Sequence, residues 1–170
     1  YLLSSFMNNY SNLIDTIKDF EELFNKGFYN AIWNKIYKRS LIEHYFDKDI
    51  SLGEDLIFNI HYLKKCNGIR YVSKSIYRYR IIKSESLSKM YRKDALELEK
   101  KIFYYMIETF QHSNLVYNVM SKSFLIHMVG QIQLMIYTDY LKSNEKKSIL
   151  KNWLDDYDYK LLLSSFKSNN

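Results

Sequence analysis

The sequence predicts a mainly α fold with a small β component, an α+β chain. Two observations point to helices. The 170 residues contain no proline and only four glycines, so the turn residues that a loop-rich β architecture needs are scarce. From residue 94 onward, apolar side chains recur with the 3.6-residue period of an amphipathic helix. A third observation limits the β content: only two short stretches, IRYV at 69–72 and SIYRYRII at 75–82, read as strands. With 47% apolar and 26% charged residues, wholesale disorder and fibrous repeats are excluded. A chain of this length can bury roughly two-thirds of its unfolded surface.

The elements follow in order. Residues 13–25 place Leu13, Ile17, Phe20 and Phe24 at helical spacing, and Asn25-Lys26-Gly27 ends that helix. The pattern predicts a second helix over 30–37 and a short third one capped by Ser40. Residues 47–53 read as a loop. Glu54 and Asp55 then open a helix that runs to about Lys65, because acids in a first turn are favoured by the helix dipole. Gly68 lies just past its end. After the two short strands, residues 84–90 are polar and irregular. Helices are predicted over 94–110, 115–141, 145–157 and 159–166, with turns at 112–114 and 143–144 and a frayed tail from Ser164. The domain reading is therefore 1–90 for a first, mixed region and 91–170 for a helical appendage. No run of about 18 apolar residues occurs; the stretch 115–137 is broken by Lys122, His127, Gln131 and Gln133. Because the chain starts with Tyr1 rather than Met, it is expected to be a piece of a longer protein.

Charge is uneven. Residues 60–101 hold twelve basic and four acidic side chains, out of a net charge of +6 for the whole chain. Such a segment suits a phosphate-bearing ligand or an anionic surface; a solvated basic face is the plainer reading. No zinc spacing, RNP-type aromatic box or GXXG loop accompanies it, so no nucleic-acid partner is expected. Tyrosine and lysine carry little weight individually, because the 17 tyrosines and two alanines reflect a compositional bias. The single cysteine, Cys66, excludes an internal disulfide and reads as a small buried apolar residue.

Chemistry-bearing patterns are few. His44, His61, His112 and His127 have no metal-ligand spacing in sequence. There is no Gly-rich phosphate loop and no G-x-S-x-G elbow. Asp47-Lys48-Asp49 is a weak metal-type pattern, and Asp155, Asp156 and Asp158 read as solvated surface. Glu54-Asp55 stands apart, because it follows Gly53 and is flanked by Ile50, Leu52, Leu56, Ile57 and Phe58. Acids between apolar residues at a helix start can line a cleft, where one could act as a general base with a tuned pKa. The alternative is a helix N-terminus stabilised by its dipole.

Four blocks occur in order: WNKIYKR at 33–39, SLGEDLIFNIHYL at 51–63, IRYVSKSIYRYR at 69–80 and SESLS at 84–88. Their order and spacing resemble the C-terminal half of the catalytic domain of family 2 glycosyltransferases, of the bacterial type that builds capsule, exopolysaccharide and cell-wall glycans. The resemblance covers about residues 15–90. It implies the acceptor-side part of a GT-A fold, and an inverting transfer of sugar from a nucleotide-sugar to a glycan or lipid-linked acceptor. It implies Asp55 as the general base, with Glu54 orienting acceptor or base. Trp33 and Lys35 would lie on the acceptor and sugar side, and Tyr79, Arg80, Ser84 and Ser86 near the diphosphate. It further implies a Mn or Mg ion in the parent, held by an Asp-x-Asp of the nucleotide-binding half. That half has no counterpart here, so no bound metal is expected in this piece, and the piece alone should be inactive. The expected location is the cytoplasm, with peripheral association at the inner face of the cell membrane allowed. A reading of a different class is a non-enzymatic helical module that docks on a protein or an anionic membrane surface.

Overall fold

The structure is a computed structural model. It describes residues 9–46, 50, 52–70 and 90–167, and for 165–167 the backbone alone. Of the described residues 64% are helical, and they form no sheet. The chain divides into two compact units: Tyr1–Lys83 with Ser113–Val116, and Ser84–His112 with Tyr117–Asn170.

In the first unit, a 3-10 helix over Ile14–Asp19 runs into α1, Phe20–Asn25. The sequence periodicity did not separate the two. Gly27 turns the chain at φ +73, in the left-handed region that favours glycine. Phe20 and Tyr29 are fully buried and stack with centroids 5.1 Å apart. The Tyr29 hydroxyl donates to Thr16 Oγ1 at 2.7 Å, and Thr16 in turn donates to the Leu13 carbonyl. Each buried hydroxyl is thus paired, as burial requires. Burial raises the Tyr29 pKa, so the phenol stays neutral.

The helix expected over 30–37 does not form. Residues 32–34 make a turn, and 35–38 are irregular. The cause is competition for carbonyls. The buried Asn59 amide donates to the Tyr29 carbonyl at 2.8 Å and to the Ala31 carbonyl at 3.2 Å. The Lys35 ammonium also donates to the Ala31 carbonyl. These oxygens are the ones a helix would have offered to amides four residues on, so tertiary bonds have replaced the local ladder. Ser40 lies inside a single 3-10 turn, Arg39–Leu41, rather than capping a helix.

Helix α2 spans Glu54–Leu63 and starts, as expected, at the two acids. Gly53 precedes it at φ +86, a conformation that would strain any side-chain-bearing residue. Its inner face buries Leu56, Asn59, Ile60 and Leu63. Cys66, just beyond, is buried, and burial raises its thiol pKa, which makes it inert rather than reactive. Of the expected strand at 69–72, Ile69 forms an isolated antiparallel bridge with Tyr10, through bonds of 3.0 and 2.8 Å. Residues 71–89, with the second expected strand, and Asp47 to Asp49 lie outside the described residues.

The second unit holds α3, Ala95–Thr109; most of α4, Asn114–Tyr137; α5, Ser143–Asp155; and α6, Tyr157–Lys167. Gln111 and His112 adopt φ values of 54° and 57° and reverse the chain after α3. Phe103 of α3 meets Phe124 of α4 edge-on at 6.1 Å, and Phe124 meets Tyr159 of α6 at the same distance. Met106 of α3 and Met128 and Met135 of α4 are fully buried. Glu145 accepts the Lys142 amide at 2.7 Å at the start of α5, and Asp156 accepts the Tyr159 amide at 3.1 Å at the start of α6. Both satisfy amide groups left free at a helix start. Lys100 of α3 ties this corner down, with Asp156 at 2.9 Å and Asp158 at 3.0 Å.

By length and composition α4 could cross a membrane, which the sequence reading had not anticipated, although 39% of its most apolar stretch is buried against the rest of the protein. Glutamines and a lysine break the apolar run without lowering its mean hydropathy below that of a short span.

Candidate active site

Lys35 and Tyr37 feel the charge of Asp55, and Tyr37 is bonded to Asn59 one turn further along α2. Asp55 stands in the first turn of α2, half-buried, beside Glu54. Burial raises its pKa above the ordinary 3.8, and the Glu54 charge pushes it further up; the Lys35 charge acts in the opposite direction. Lys35 is half-buried in turn. Loss of solvent lowers its pKa to about 7, and the Asp55 charge keeps it from falling further. The two groups are thus coupled across the site, each holding the other nearer its charged form. Lys35 Nζ also donates to Asn34 Oδ1 at 2.8 Å and lies 5.0 Å from the centroid of the Phe28 ring.

Two residues that the sequence reading did not single out complete the cluster. The Tyr37 hydroxyl donates to Asn59 Oδ1 at 2.6 Å. Its pKa is raised by burial and then by the charges of Asp55 and Tyr62, which places the phenol in the field of the acid. The ring is clamped edge-on by Tyr62 at 4.9 Å and Phe58 at 5.6 Å. Asn59 is fully buried and uses both ends of its amide, receiving Tyr37 and donating to the loop carbonyls. It therefore fixes the loop that carries Lys35 to the helix that carries Asp55. In sequence, Asn59 looks like any polar residue inside a helix; its spacing of one turn from Asp55 was the available signal.

Trp33 sits two residues before Lys35 in the 32–34 turn, with 44% of its surface exposed. Glu54 is half-buried. Tyr79, Arg80, Ser84 and Ser86, expected on the diphosphate side, lie outside the described residues, as does the Asp47-Lys48-Asp49 triplet. Among the described residues no three His, Cys, Asp or Glu side chains gather as a metal-binding group.

A shallow depression is bounded by Leu41, Ile42, Glu43, His44, Phe58, His61, Tyr62 and Lys65, and shares Phe58 and Tyr62 with the surroundings of Tyr37. There the His44 and His61 rings sit with centroids 4.7 Å apart, and Glu43 pairs with Lys65 at 3.0 Å. Burial lowers the His61 pKa, and His44 and Lys64 add to the effect. These histidines are 17 positions apart, so no sequence spacing announces their meeting.

Chemically, the cluster offers a carboxylate biased toward accepting a proton, a lysine that titrates near neutrality, and an exposed indole on the same loop. No protein family, curated protein or solved structure matches the chain.

Proposed function

We propose that the chain is the acceptor-side part of a GT-A family 2 glycosyltransferase, and that Asp55 is its general base. The observation that carries this reading is the coupling of Lys35 with Asp55. The two blocks that resemble the family, Trp-x-Lys-Ile-Tyr and Gly-Glu-Asp, are separated by 15 residues in sequence, yet their charged members feel each other's charge. A raised carboxyl pKa is what a base needs in order to receive a proton from a sugar hydroxyl near neutral pH.

In this reading the acceptor hydroxyl gives its proton to Asp55 while its oxygen attacks the anomeric carbon of the nucleotide-sugar. The new glycosidic bond forms as the bond to the diphosphate breaks. The nucleoside diphosphate leaves with that electron pair, and the configuration inverts. Glu54 raises the basicity of Asp55 by charge repulsion. Lys35, when protonated, keeps Asp55 ionised before the acceptor arrives. Trp33 offers an aromatic face for a pyranose ring, and Tyr79 and Arg80, with Ser84 and Ser86, serve the diphosphate side. As the resemblance implies, Mn or Mg would be held by an Asp-x-Asp of the parent's nucleotide-binding half, and no step here runs through it. The partners would be a nucleotide-sugar and a glycan or lipid-linked acceptor, at the cytoplasmic face of the membrane.

The test uses the full-length parent with a panel of nucleotide-sugars. Asp55→Asn should abolish sugar transfer to the acceptor, and with it acceptor-dependent release of nucleoside diphosphate, while leaving donor binding intact. Normal turnover in that variant would remove Asp55 from the mechanism, and failure of the parent to bind any nucleotide-sugar would remove the enzymatic reading altogether.

A further inference from the structure

Lys35 is a half-buried lysine whose bonded partners are uncharged. Its nitrogen donates to the Ala31 carbonyl and, at 2.8 Å, to Asn34 Oδ1, and the centroid of the Phe28 ring lies 5.0 Å away. Among the described residues no carboxylate forms an ion pair with it; Asp55 acts on it through its charge, without a bond. Other partly buried lysines are held differently. Lys100 meets two carboxylates, Asp156 and Asp158. Lys146 donates to the carbonyls of Ile136 and Thr138, but these stand at the C-terminal end of α4, where the helix dipole favours a cation. The loop around Lys35 is irregular and offers no such dipole.

We propose that Lys35 is a nucleophilic amine and a site of acylation by small activated acyl donors of the acyl phosphate class. The two acceptors match the two N–H groups of a neutral amine and leave its lone pair free. An ammonium would keep a further proton with only an aromatic face beside it, a weaker partner than a carboxylate. Loss of solvent acts in the same direction and lowers the pKa to about 7. About half of the amine is then unprotonated at neutral pH, against less than about 0.1% for an ordinary lysine.

In the step, the nitrogen lone pair forms a bond to the acyl carbon and the carbon–oxygen bond to phosphate breaks. Phosphate leaves with that electron pair, and the amine proton passes to solvent. Charge selects the acyl group over other electrophiles. The amide product is uncharged. A carbamate formed from carbon dioxide would set a second anion in the field of Asp55, and an imine formed from an aldehyde takes up a proton and restores the cation that burial disfavours. Acylation would also remove the charge that opposes the upward shift of Asp55. This role needs Lys35 only as an amine and is independent of the glycosyltransferase reading.

The test treats the full-length protein with acetyl phosphate at about pH 7.5 and follows acetylation of each lysine by mass spectrometry. Lys35 should react about tenfold faster than the exposed Lys122, Lys147 and Lys151. The lead should vanish in urea, where every amine is solvated. Asn34→Asp, at a partly exposed turn position, puts a carboxylate where the neutral acceptor stood; it should hold the ammonium and slow acetylation of Lys35 about tenfold. The comparison of native with unfolded wild type decides the matter even if Asn34→Asp fails to fold. A Lys35 that reacts no faster than the exposed lysines, a lead that survives unfolding, or a rate indifferent to Asn34→Asp in the folded variant would each overturn the proposal.

Discussion

Asp55 and Lys35 each oppose the shift that burial imposes on the other. Burial raises the carboxyl and lowers the ammonium to about 7, and each partner's charge opposes the other's shift. Lys35 is carried by an irregular loop and Asp55 by a helix start, and the pairing exists because Asn59 bonds the two elements together.

The lysine makes stability depend on pH. Its native pKa lies below the 10.5 of the unfolded chain. Between about pH 7 and pH 9 the unfolded state therefore binds more protons at this site, and stability rises with pH. Lys35→Met should flatten that rise, as measured by thermal melts at the two ends of the window. Parallel pH dependence in wild type and variant would show that Lys35 is not shielded from water.

Asn59 is a fully buried, hydrogen-bonded polar residue of the first unit and should be costly to remove. Asn59→Leu removes the side-chain donor to the carbonyls of Tyr29 and Ala31 and the 2.6 Å acceptor of the Tyr37 hydroxyl. Unmade buried hydrogen bonds of this kind should cost about 3 kcal/mol in urea denaturation. A loss below about 1 kcal/mol would mean that the loop is held by other contacts.

Trp33 should separate binding from folding. Trp33→Ala, at a substantially exposed position, should change stability by no more than about 0.5 kcal/mol. In the full-length parent it should raise KM for the acceptor. A large stability loss would assign the indole to the fold instead.

Lys100 anchors the start of α6. Burial pushes the Asp156 carboxyl up, but its hydrogen bonds with Lys100 and with the Tyr159 and Asp158 amides outweigh that and hold it below the usual 3.8. The stability it contributes is present above 3.8 and is lost as pH falls through the lowered native value. Lys100→Met should cost about 2 kcal/mol at neutral pH, the range for hydrogen bonds to a charged group. It should also move acid unfolding to higher pH. An unchanged acid transition would contradict the link.

The helices were legible because their signals are local. Gly53-Glu54-Asp55 marks the start of α2 by backbone freedom and dipole alone, and the 3.6-residue period outlined α3 to α6. The stretch 30–37 was not legible, because its carbonyls are claimed by Asn59 from 28 and 30 residues away. The same long-range bonds concealed the site. Trp33, Lys35, Glu54 and Asp55 were named from their blocks, whereas Tyr37 and Asn59 join them only through contacts that no periodicity encodes.

Carbon-13 titration of the Asp55 side-chain carboxyl, in wild type and in Lys35→Met, probes the pair directly. Asp55 should titrate above 3.8, and higher still once the lysine charge is gone. A carboxyl that titrates at 3.8 and ignores Lys35→Met would contradict the assignment of these two residues to one acid–base site.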